Sequence, residues 1–216
     1  MYFHRKISAE VLFFVERLNF LYGIDQDIFF PRGGHYIREK YGILNEKIIL
    51  HVTSGFANPI KGSKYMLELA NQLIGEPVKI VFVGLNEQVS LPSNCINIGV
   101  VKNQEVLAKI YSDADVTVIT SFRETFSMVV AESLSCGTPV VGFKAGGPES
   151  IVIKEYSDFV EFGDIESLKK NILKWCIEPK KNIYVKAHQK YSKEFMAEKY
   201  LEVYKSVIKN YIPNEF

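Results

Sequence analysis

The chain has 216 residues, 47% of them hydrophobic and 24% charged, which suffices for one soluble domain whose core needs no metal or disulfide. Its formal net charge of +1 provides no overall field to attract nucleic acid, so we expect no nucleic-acid partner. The three cysteines are odd in number and lack CxxC or Cys/His spacing, which favours free thiols in a reducing cytoplasm.

The N-terminal segment contains one short apolar run at residues 11–15, with Glu10 and Glu16 on either side. This run is too short for a secretory signal or for the roughly 20 apolar residues of a membrane helix. We therefore expect a cytoplasmic protein, and peripheral contact with a membrane stays open.

From residue 47 onward, apolar runs alternate with helical patterns, which predicts a parallel α/β sheet. The predicted strands are 47–53, 78–83, 96–98, 115–119, 139–143 and 158–161. The predicted helices are 61–74, 104–111, 126–135, one from about 147, one capped by Asp164, and two C-terminal stretches that include 195–208. The expected fold class is α/β, a Rossmann-like parallel sheet with helices on both faces. Residues 1–40 show turns but no clear strand, so we predict a lead-in or domain-junction segment at 1–40 and the folded domain at 41–216.

The loop after the strand at 115–119 is the strongest candidate for a ligand site, since open parallel sheets bind ligands beyond the carboxyl ends of their strands. This loop runs through Glu124 into a helix whose unpaired N–H groups and dipole favour an anion. Glu132 lies nearly opposite Val130 and Leu134 on that helix, so it faces the groove if those two face the core. Two carboxylates beside an anion site suit a polyol attached to a phosphate, because carboxylates accept hydrogen bonds from hydroxyls. By spacing alone, two solvated surface glutamates would be the commoner arrangement.

A series of short motifs in chain order decides between these readings. The motifs are Gly23-Ile24-Asp25 with Phe29, Lys61-Gly62, Gly99 with Val101, then Leu107, Tyr111 and Ala114-Asp115-Val116, Ser-x-x-Glu-x-Phe at 121–126, Glu132, the run 135–141, and Gly146-Gly147-Pro148-Glu149. Together they resemble the retaining, GT-B-fold glycosyltransferases of bacterial surface-polysaccharide synthesis, glycosyl transferases group 1. In that family the two glutamates form an E-x7-E motif, which Glu124 and Glu132 match. The resemblance runs from about residue 22 to the last helix and implies the C-terminal, donor-binding half of a GT-B fold.

The resemblance implies a role for each matching position. Glu124 would be the catalytic carboxylate that holds hydroxyls of the transferred sugar, and Glu132 would bind the ribose. Lys61 would contact the donor diphosphate; without an anion, the helix dipole disfavours a lysine at a helix start. The other donor-binding positions would act through the backbone, Val101 toward the base and Thr125, Phe126, Ser127, Met128 and Val129 toward the sugar and phosphate.

Two substitutions depart from the family's pattern. Phe56 stands where many relatives have a second diphosphate-binding arginine. Charge neutralisation then depends on Lys61 and the helix N-terminus, with Arg123 or Lys144 as further candidates. Ser127 replaces a glycine, although serine disfavours a positive φ.

The family's acceptor-binding domain is expected to lie outside these 216 residues, because the segment before residue 22 is too short to form it. The histidines that do not match the catalytic histidine of that domain are His4, His35, His51 and His188. We interpret His51, which falls inside a predicted strand, as structural.

These observations predict retaining transfer of a sugar from a UDP-, GDP- or ADP-type donor to a hydroxyl acceptor, in glycan or surface-polysaccharide synthesis. We expect no metal and no cofactor, since Lys61 and the helix dipole can balance the leaving diphosphate. An incomplete enzyme, inactive without an acceptor domain, and a non-catalytic subunit that completes its cleft with a partner protein both fit. An epimerase fragment fits less well, and a dinucleotide dehydrogenase is disfavoured because no G-x-G-x-x-G follows the strand at 47–53.

Overall fold

The computed structural model describes residues 22–33, 35–86 and 88–211. The apolar run at 11–15 and the first 21 residues of the predicted lead-in lie outside this part of the chain. Six parallel strands form one sheet in the order β3-β2-β1-β4-β5-β6. The strands are β1 (Lys47–Val52), β2 (Val78–Val83), β3 (Cys95–Gly99), β4 (Val116–Ile119), β5 (Val140–Phe143) and β6 (Ser157–Val160).

Helices connect the strands and cover both faces of the sheet. They are α1 (Tyr36–Tyr41), α2 (Ser63–Gln72), α3 (Gln104–Asp113), α4 (Met128–Ser135), α5 (Pro148–Ile151), α6 (Ile165–Ile177), α7 (Ile183–Tyr191) and α8 (Lys193–Tyr211), with 3-10 turns at Pro59–Lys61 and Lys154–Tyr156. Tyr111 of α3 and Leu134 of α4 belong to one buried cluster, whereas Leu69 of α2 and Leu168 of α6 belong to another. The predicted α/β fold, a parallel sheet with helices around it, is therefore confirmed.

The central strand β1 explains why the core has two layers. Side chains along a strand alternate between faces, so Ile48 and Leu50 join the cluster of α3 and α4, and Ile49 joins that of α2 and α6. From β1 the chain moves outward to β2 and β3, then returns to β4 on the opposite side of β1. The strand order thus reverses between β1 and β4, and a crevice at such a reversal is where open α/β sheets bind ligands.

Two helices begin later than the sequence predicts. The helix predicted at 61–74 begins at Ser63, because Gly62 adopts φ 66 and ends the 3-10 turn at Pro59–Lys61. The helix predicted at 126–135 begins at Met128, because Ser127 adopts φ 74. Both irregular positions lie in the loops that follow β1 and β4, next to the crevice.

The described part of the lead-in segment packs onto the domain. Ile24 and Phe29 are buried in the core, and the Ile24 N–H donates to the Tyr191 carbonyl oxygen at 2.8 Å. The helix α1 crosses residue 40. A boundary between residues 40 and 41 stays a prediction.

Candidate functional site

The loops after β1 and β4 enclose a cavity of about 560 Å³ at the carboxyl ends of these strands. The predicted site residues in its wall are Lys61, Val101, Glu124, Ser127, Met128, Val129 and Glu132. A second cavity of about 510 Å³ shares Lys61, Glu124 and Ser127 with the first, and its wall adds Arg123 and Thr125. The fold therefore brings residues of four separate loops and helices to one place.

Phe126 is the predicted site residue that lines neither cavity. Its side chain is 3% exposed, and its ring packs edge-on against Tyr22 with the ring centroids 5.1 Å apart. The family resemblance implies a role for the Phe126 backbone amide, and that role stays a prediction. The side chain itself anchors the loop to the lead-in segment.

Backbone contacts between the two loops fix the position of Lys61. Thr120 Oγ1 donates to the Lys61 carbonyl oxygen at 3.0 Å, and the Phe122 N–H donates to the Ile60 carbonyl oxygen at 2.7 Å. A Cβ atom on Gly62 would lie 1.9 Å from the Thr120 carbonyl oxygen, so only glycine permits this close approach. The Lys61 backbone is therefore held beside Thr120, which follows β4, and the Lys61 side chain extends to Glu124.

Glu124 uses one carboxylate oxygen and leaves the other without a partner. Its Oε1 accepts hydrogen bonds from Lys61 Nζ at 2.9 Å and from Ser121 Oγ at 3.0 Å. Its Oε2 is buried and has no hydrogen-bond partner among the described residues. The backbone is held on both sides, by Glu124 N to Ala145 O at 3.0 Å and by Gly147 N to Glu124 O at 2.9 Å. The unpaired oxygen can accept a hydrogen bond from a ligand hydroxyl.

Glu132 has a different hydrogen-bond partner from Glu124, and no lysine among the described residues pairs with it. It lines the cavity from α4 while Val130 and Leu134 are buried in the core, as its helical position predicts. Tyr111 Oη donates to Glu132 Oε2 at 3.0 Å. Burial raises the pKa of Glu132 to about 7, and the tyrosine hydrogen bond opposes that rise.

The helix α4 begins at the cavity without a side-chain cap. Ser127 at its N-cap position has φ 74 and ψ 88 and makes no capping hydrogen bond. A non-glycine residue in this left-handed region costs about 1–3 kcal/mol, and such strain clusters at ligand sites. The free N–H groups of the first turn, near Met128 and Val129, are suited to an anion.

Four buried polar atoms without a hydrogen-bond partner belong to residues in the wall of the larger cavity. They are His51 Nε2, Thr53 Oγ1, Glu124 Oε2 and Ser127 Oγ. Buried polar groups are normally paired, and each one left unpaired costs about 1–3 kcal/mol. Their concentration here is what a site for a polar ligand requires.

Sequence reasoning missed four polar residues of this site. His51 was interpreted as structural, Thr53 and Ser121 were assigned no role, and Tyr111 was noted only as part of a motif. His51 lies in β1 and Thr53 directly follows it, so their two-residue spacing points both side chains to the same face of the sheet, which was a readable signal. The Tyr111 contact with Glu132 joins two helices, and periodicity along one helix cannot reveal it.

The structure shows where Phe56 lies and where the two further candidate cations, Lys144 and Arg123, lie. Phe56 is buried against the Phe82 ring, with centroids 5.6 Å apart, so its position belongs to the core. Lys144 forms an ion pair with Glu161. Arg123 lines the second cavity beside Lys61.

Within residues 22–33, 35–86 and 88–211, no group of three or more His, Cys, Asp or Glu side chains could hold a metal ion. None of the helices in the same ranges is long and apolar enough to cross a membrane.

Comparisons with known proteins match most of the chain to one family. Residues 36–194 match the family described as Glycosyl transferases group 1. A D-inositol 3-phosphate glycosyltransferase of Mycobacteroides abscessus is 30% identical over an alignment of 138 residues, and the match covers 58% of this chain and 31% of that protein. The chain thus spans about a third of the length of this relative.

Solved structures share the fold at low sequence identity. Anabaena HepE in complex with UDP-glucose superimposes with a TM-score of 0.70 at 20% identity, over 85% of this chain and 56% of HepE. The C-terminal domain of the Francisella tularensis glycosyl transferase group 1 protein LpcC gives a TM-score of 0.60 at 20% identity, over 79% of this chain and 100% of that domain.

Proposed function

The chain belongs to the glycosyl transferases group 1 family, and we propose that it forms the nucleotide-sugar-binding half of a retaining glycosyltransferase. The observation that carries the proposal is one cavity that combines a lysine, two differently held carboxylates and an uncapped helix N-terminus. A nucleoside diphosphate sugar presents the complementary groups, which are phosphate oxygens between two sets of hydroxyls.

In this proposal, Lys61 and the first turn of α4 bind the diphosphate. The Lys61 ammonium exchanges its contact with Glu124 for a phosphate oxygen, and the amides of Thr125 to Val129 contact the sugar and phosphate. An opposite charge at 4 Å is worth about 4 kcal/mol at an effective dielectric of roughly 20, before desolvation. The same groups would stabilise the leaving diphosphate, so we propose transfer without a metal or other cofactor.

The two carboxylates divide the hydroxyl groups of the donor between them. Glu132, backed by Tyr111, accepts from the ribose, and the backbone near Val101 meets the base. Glu124 accepts from hydroxyls of the transferred sugar through its unpaired Oε2. HepE, which shares this fold at 20% identity, was solved in complex with UDP-glucose, and we propose a UDP-, GDP- or ADP-type donor for this chain.

Transfer to a hydroxyl acceptor, with retention at the anomeric carbon and in the synthesis of a surface glycan, needs a second surface to hold the acceptor. We propose that an acceptor-binding domain supplies it, from the same polypeptide or from a partner protein. Tyr22 and, on α8, Leu201, Tyr204 and Ile208 are each at least half exposed, and such an apolar surface suits either source. The partner-protein version corresponds to a non-catalytic binding subunit, the second candidate function.

Calorimetric titration with UDP, GDP, ADP and their glucose nucleotides tests donor binding. We expect one nucleoside diphosphate to bind and Glu132→Ala to weaken it about tenfold or more, because a buried ribose hydroxyl loses its acceptor. Glu161→Ala, which removes an exposed carboxylate outside both cavities, is the matched control and should leave the affinity unchanged. Absence of binding by every nucleotide, or an affinity insensitive to Glu132→Ala, would refute the assignment.

A transfer assay separates donor binding from catalysis. With the matching nucleotide sugar, we expect no transfer to hydroxyl acceptors by these 216 residues alone and transfer after an acceptor domain is added. Robust transfer by the chain alone would contradict the need for that domain.

A further inference from the structure

His51 and Thr53 place two unpaired polar groups on one face of β1 and its carboxyl end. Both residues line the larger cavity, and both are buried, with 2% and 8% of their surface exposed. Neither His51 Nε2 nor Thr53 Oγ1 has a hydrogen-bond partner among the described residues. Successive residues on one strand face rise by roughly 6.6 Å, so His51 forms the deep part of this floor and Thr53 the outer part.

The other ring nitrogen fixes what His51 can bind. His51 Nδ1 lies 3.1 Å from the Val118 carbonyl oxygen, which only accepts hydrogen bonds, so Nδ1 carries the hydrogen. In a neutral imidazole the second nitrogen is then an acceptor. Burial lowers the pKa of His51 to about 4, so the ring is neutral at neutral pH. Nε2 therefore needs a hydrogen-bond donor.

This requirement excludes one part of the proposed ligand. Ionised phosphate oxygens only accept hydrogen bonds, so Nε2 cannot bind the diphosphate directly. A sugar hydroxyl can donate to Nε2, and its oxygen can accept from the Thr53 hydroxyl.

The position of His51 relates it to one of the two sugars of the donor. Its Nδ1 lies 3.1 Å from the carbonyl oxygen of Val118 in β4, and the loop that follows β4 contains Glu124. Glu132 and Tyr111, the proposed ribose end, are bonded to each other across the cavity wall. His51 therefore belongs to the end at which Glu124 would hold the transferred sugar.

We propose that His51, with Thr53 above it, binds one hydroxyl of the transferred sugar and so determines which sugar the site accepts. The inference rests on the proposed function and adds a specificity-determining residue to it. A sugar without that hydroxyl cannot pair Nε2, so it forgoes this hydrogen bond and binds more weakly than the parent sugar.

Affinities of wild type, His51→Leu and His51→Gln for the nucleoside diphosphate and for its nucleotide sugar test the inference. His51→Leu should weaken the nucleotide sugar about tenfold and leave the nucleoside diphosphate within about twofold. His51→Gln, whose amide can still accept, should recover part of the loss. Among nucleotide sugars that lack one sugar hydroxyl each, one should bind wild type about tenfold more weakly and His51→Leu no more weakly than the parent sugar.

Two further variants keep the test decisive. Thr53→Val has nearly the same shape and should shift affinity in the same direction if His51→Leu does not fold. His188→Leu removes an imidazole that lies outside both cavities and should change neither affinity. An equal loss for the nucleoside diphosphate and the nucleotide sugar in the His51 and Thr53 variants would make the role structural and overturn the inference. If wild type binds no nucleotide at all, the proposed function fails first and the inference fails with it.

Discussion

The carboxylates near the two ends of β4 differ in whether their oxygens have hydrogen-bond partners. At the amino end, Asp115 Oδ2 accepts from Arg38 Nη2 at 3.0 Å and from the Ile48 N–H at 2.8 Å, while Oδ1 accepts from Lys47 Nζ at 3.3 Å. Both oxygens are paired, and Lys180 Nζ also lies 4.0 Å from Oδ1. Each oxygen of Asp115, at the amino end of β4, therefore has a hydrogen-bond partner.

At the carboxyl end, two carboxylates share a cavity wall with one lysine. Glu124 has an unpaired oxygen, and Glu132 is bonded to a phenol in a site that raises its pKa to about 7. The difference indicates a division of labour along one strand. The amino end contributes to stability, whereas the carboxyl end gives up stability to keep polar groups ready for a ligand.

The largest effect on stability is expected at the amino end of β4, the paired end. Asp115→Ala should lower the free energy of unfolding by about 3 kcal/mol, because it leaves Arg38 and Lys47 near each other without their shared anion. Urea denaturation measures the change. Glu161→Ala, which breaks the exposed pair with Lys144, should cost less than about 0.5 kcal/mol. Equal costs for the two variants would contradict the importance of the amino end.

At the carboxyl end of β4, the unpaired end, removal of a charge should have the opposite effect and raise the free energy of unfolding. Glu132 has a folded pKa of about 7 against an ordinary value of 4.5, so its favourable contribution is complete below pH 4.5 and is lost as the pH rises through 7. Glu132→Gln removes the charge and can still accept from Tyr111. The variant should match wild type at pH 4.5 and exceed it by up to about 3 kcal/mol at pH 8, while it loses nucleotide affinity.

Denaturation curves at several pH values test this prediction, with Glu124→Gln as the control. Glu124 is paired with Lys61, so its replacement should stabilise the protein at none of these pH values. A stability difference between Glu132→Gln and wild type that does not change with pH would show that burial of the Glu132 charge is not the cause.

A smaller effect follows from the tyrosine that supports Glu132. Tyr111→Phe removes the hydrogen bond to the carboxylate, and it should cost about 2 kcal/mol at pH 8 and less where Glu132 is protonated. Tyr191→Phe is the matched control, because Tyr191 Oη is also buried but donates to the neutral Ile151 carbonyl oxygen at 2.7 Å. Its cost should stay near 1 kcal/mol at every pH. Parallel pH profiles for the two variants would contradict an ionised Glu132 as the partner.

Much of the fold was predictable because its signals are local. The strand at 78–83 matches the observed β2 residue for residue, since its apolar run is buried and bounded by turns. Asp164 caps α6, as its position before a periodic helix predicts, and its side chain accepts from the Ser167 N–H at 3.0 Å. The late starts of α2 and α4 were missed because tertiary contacts, such as Gly62 against Thr120, decide them.

The site was predictable only where a single segment carries the information. The orientation of Glu132 follows from its helix, and the structure agrees. The Lys61 contact with Glu124 and the Tyr111 contact with Glu132 each join two distant segments, so only the folded sheet creates them. The unpaired Nε2 of His51 was not predictable, because a strand pattern contains no information about whether a ring nitrogen finds a partner.

The smallest effect concerns the strain at Ser127, which belongs to the unpaired end. Ser127 and Asn182 are the non-glycine residues with positive φ in the described part of the chain, at 74 and 62. Ser127→Gly removes the steric cost and the unpaired hydroxyl together, so it should raise the free energy of unfolding by about 1 kcal/mol. Asn182→Gly should gain less, because asparagine tolerates this region. Thermal denaturation measures both, and calorimetry then shows which part of Ser127 the ligand needs. An unchanged affinity for the nucleoside diphosphate would mean that the backbone shape alone serves the anion, since glycine adopts the same φ. A weaker affinity would instead assign the contact to the Ser127 hydroxyl, and a loss of stability in Ser127→Gly would contradict the strain itself.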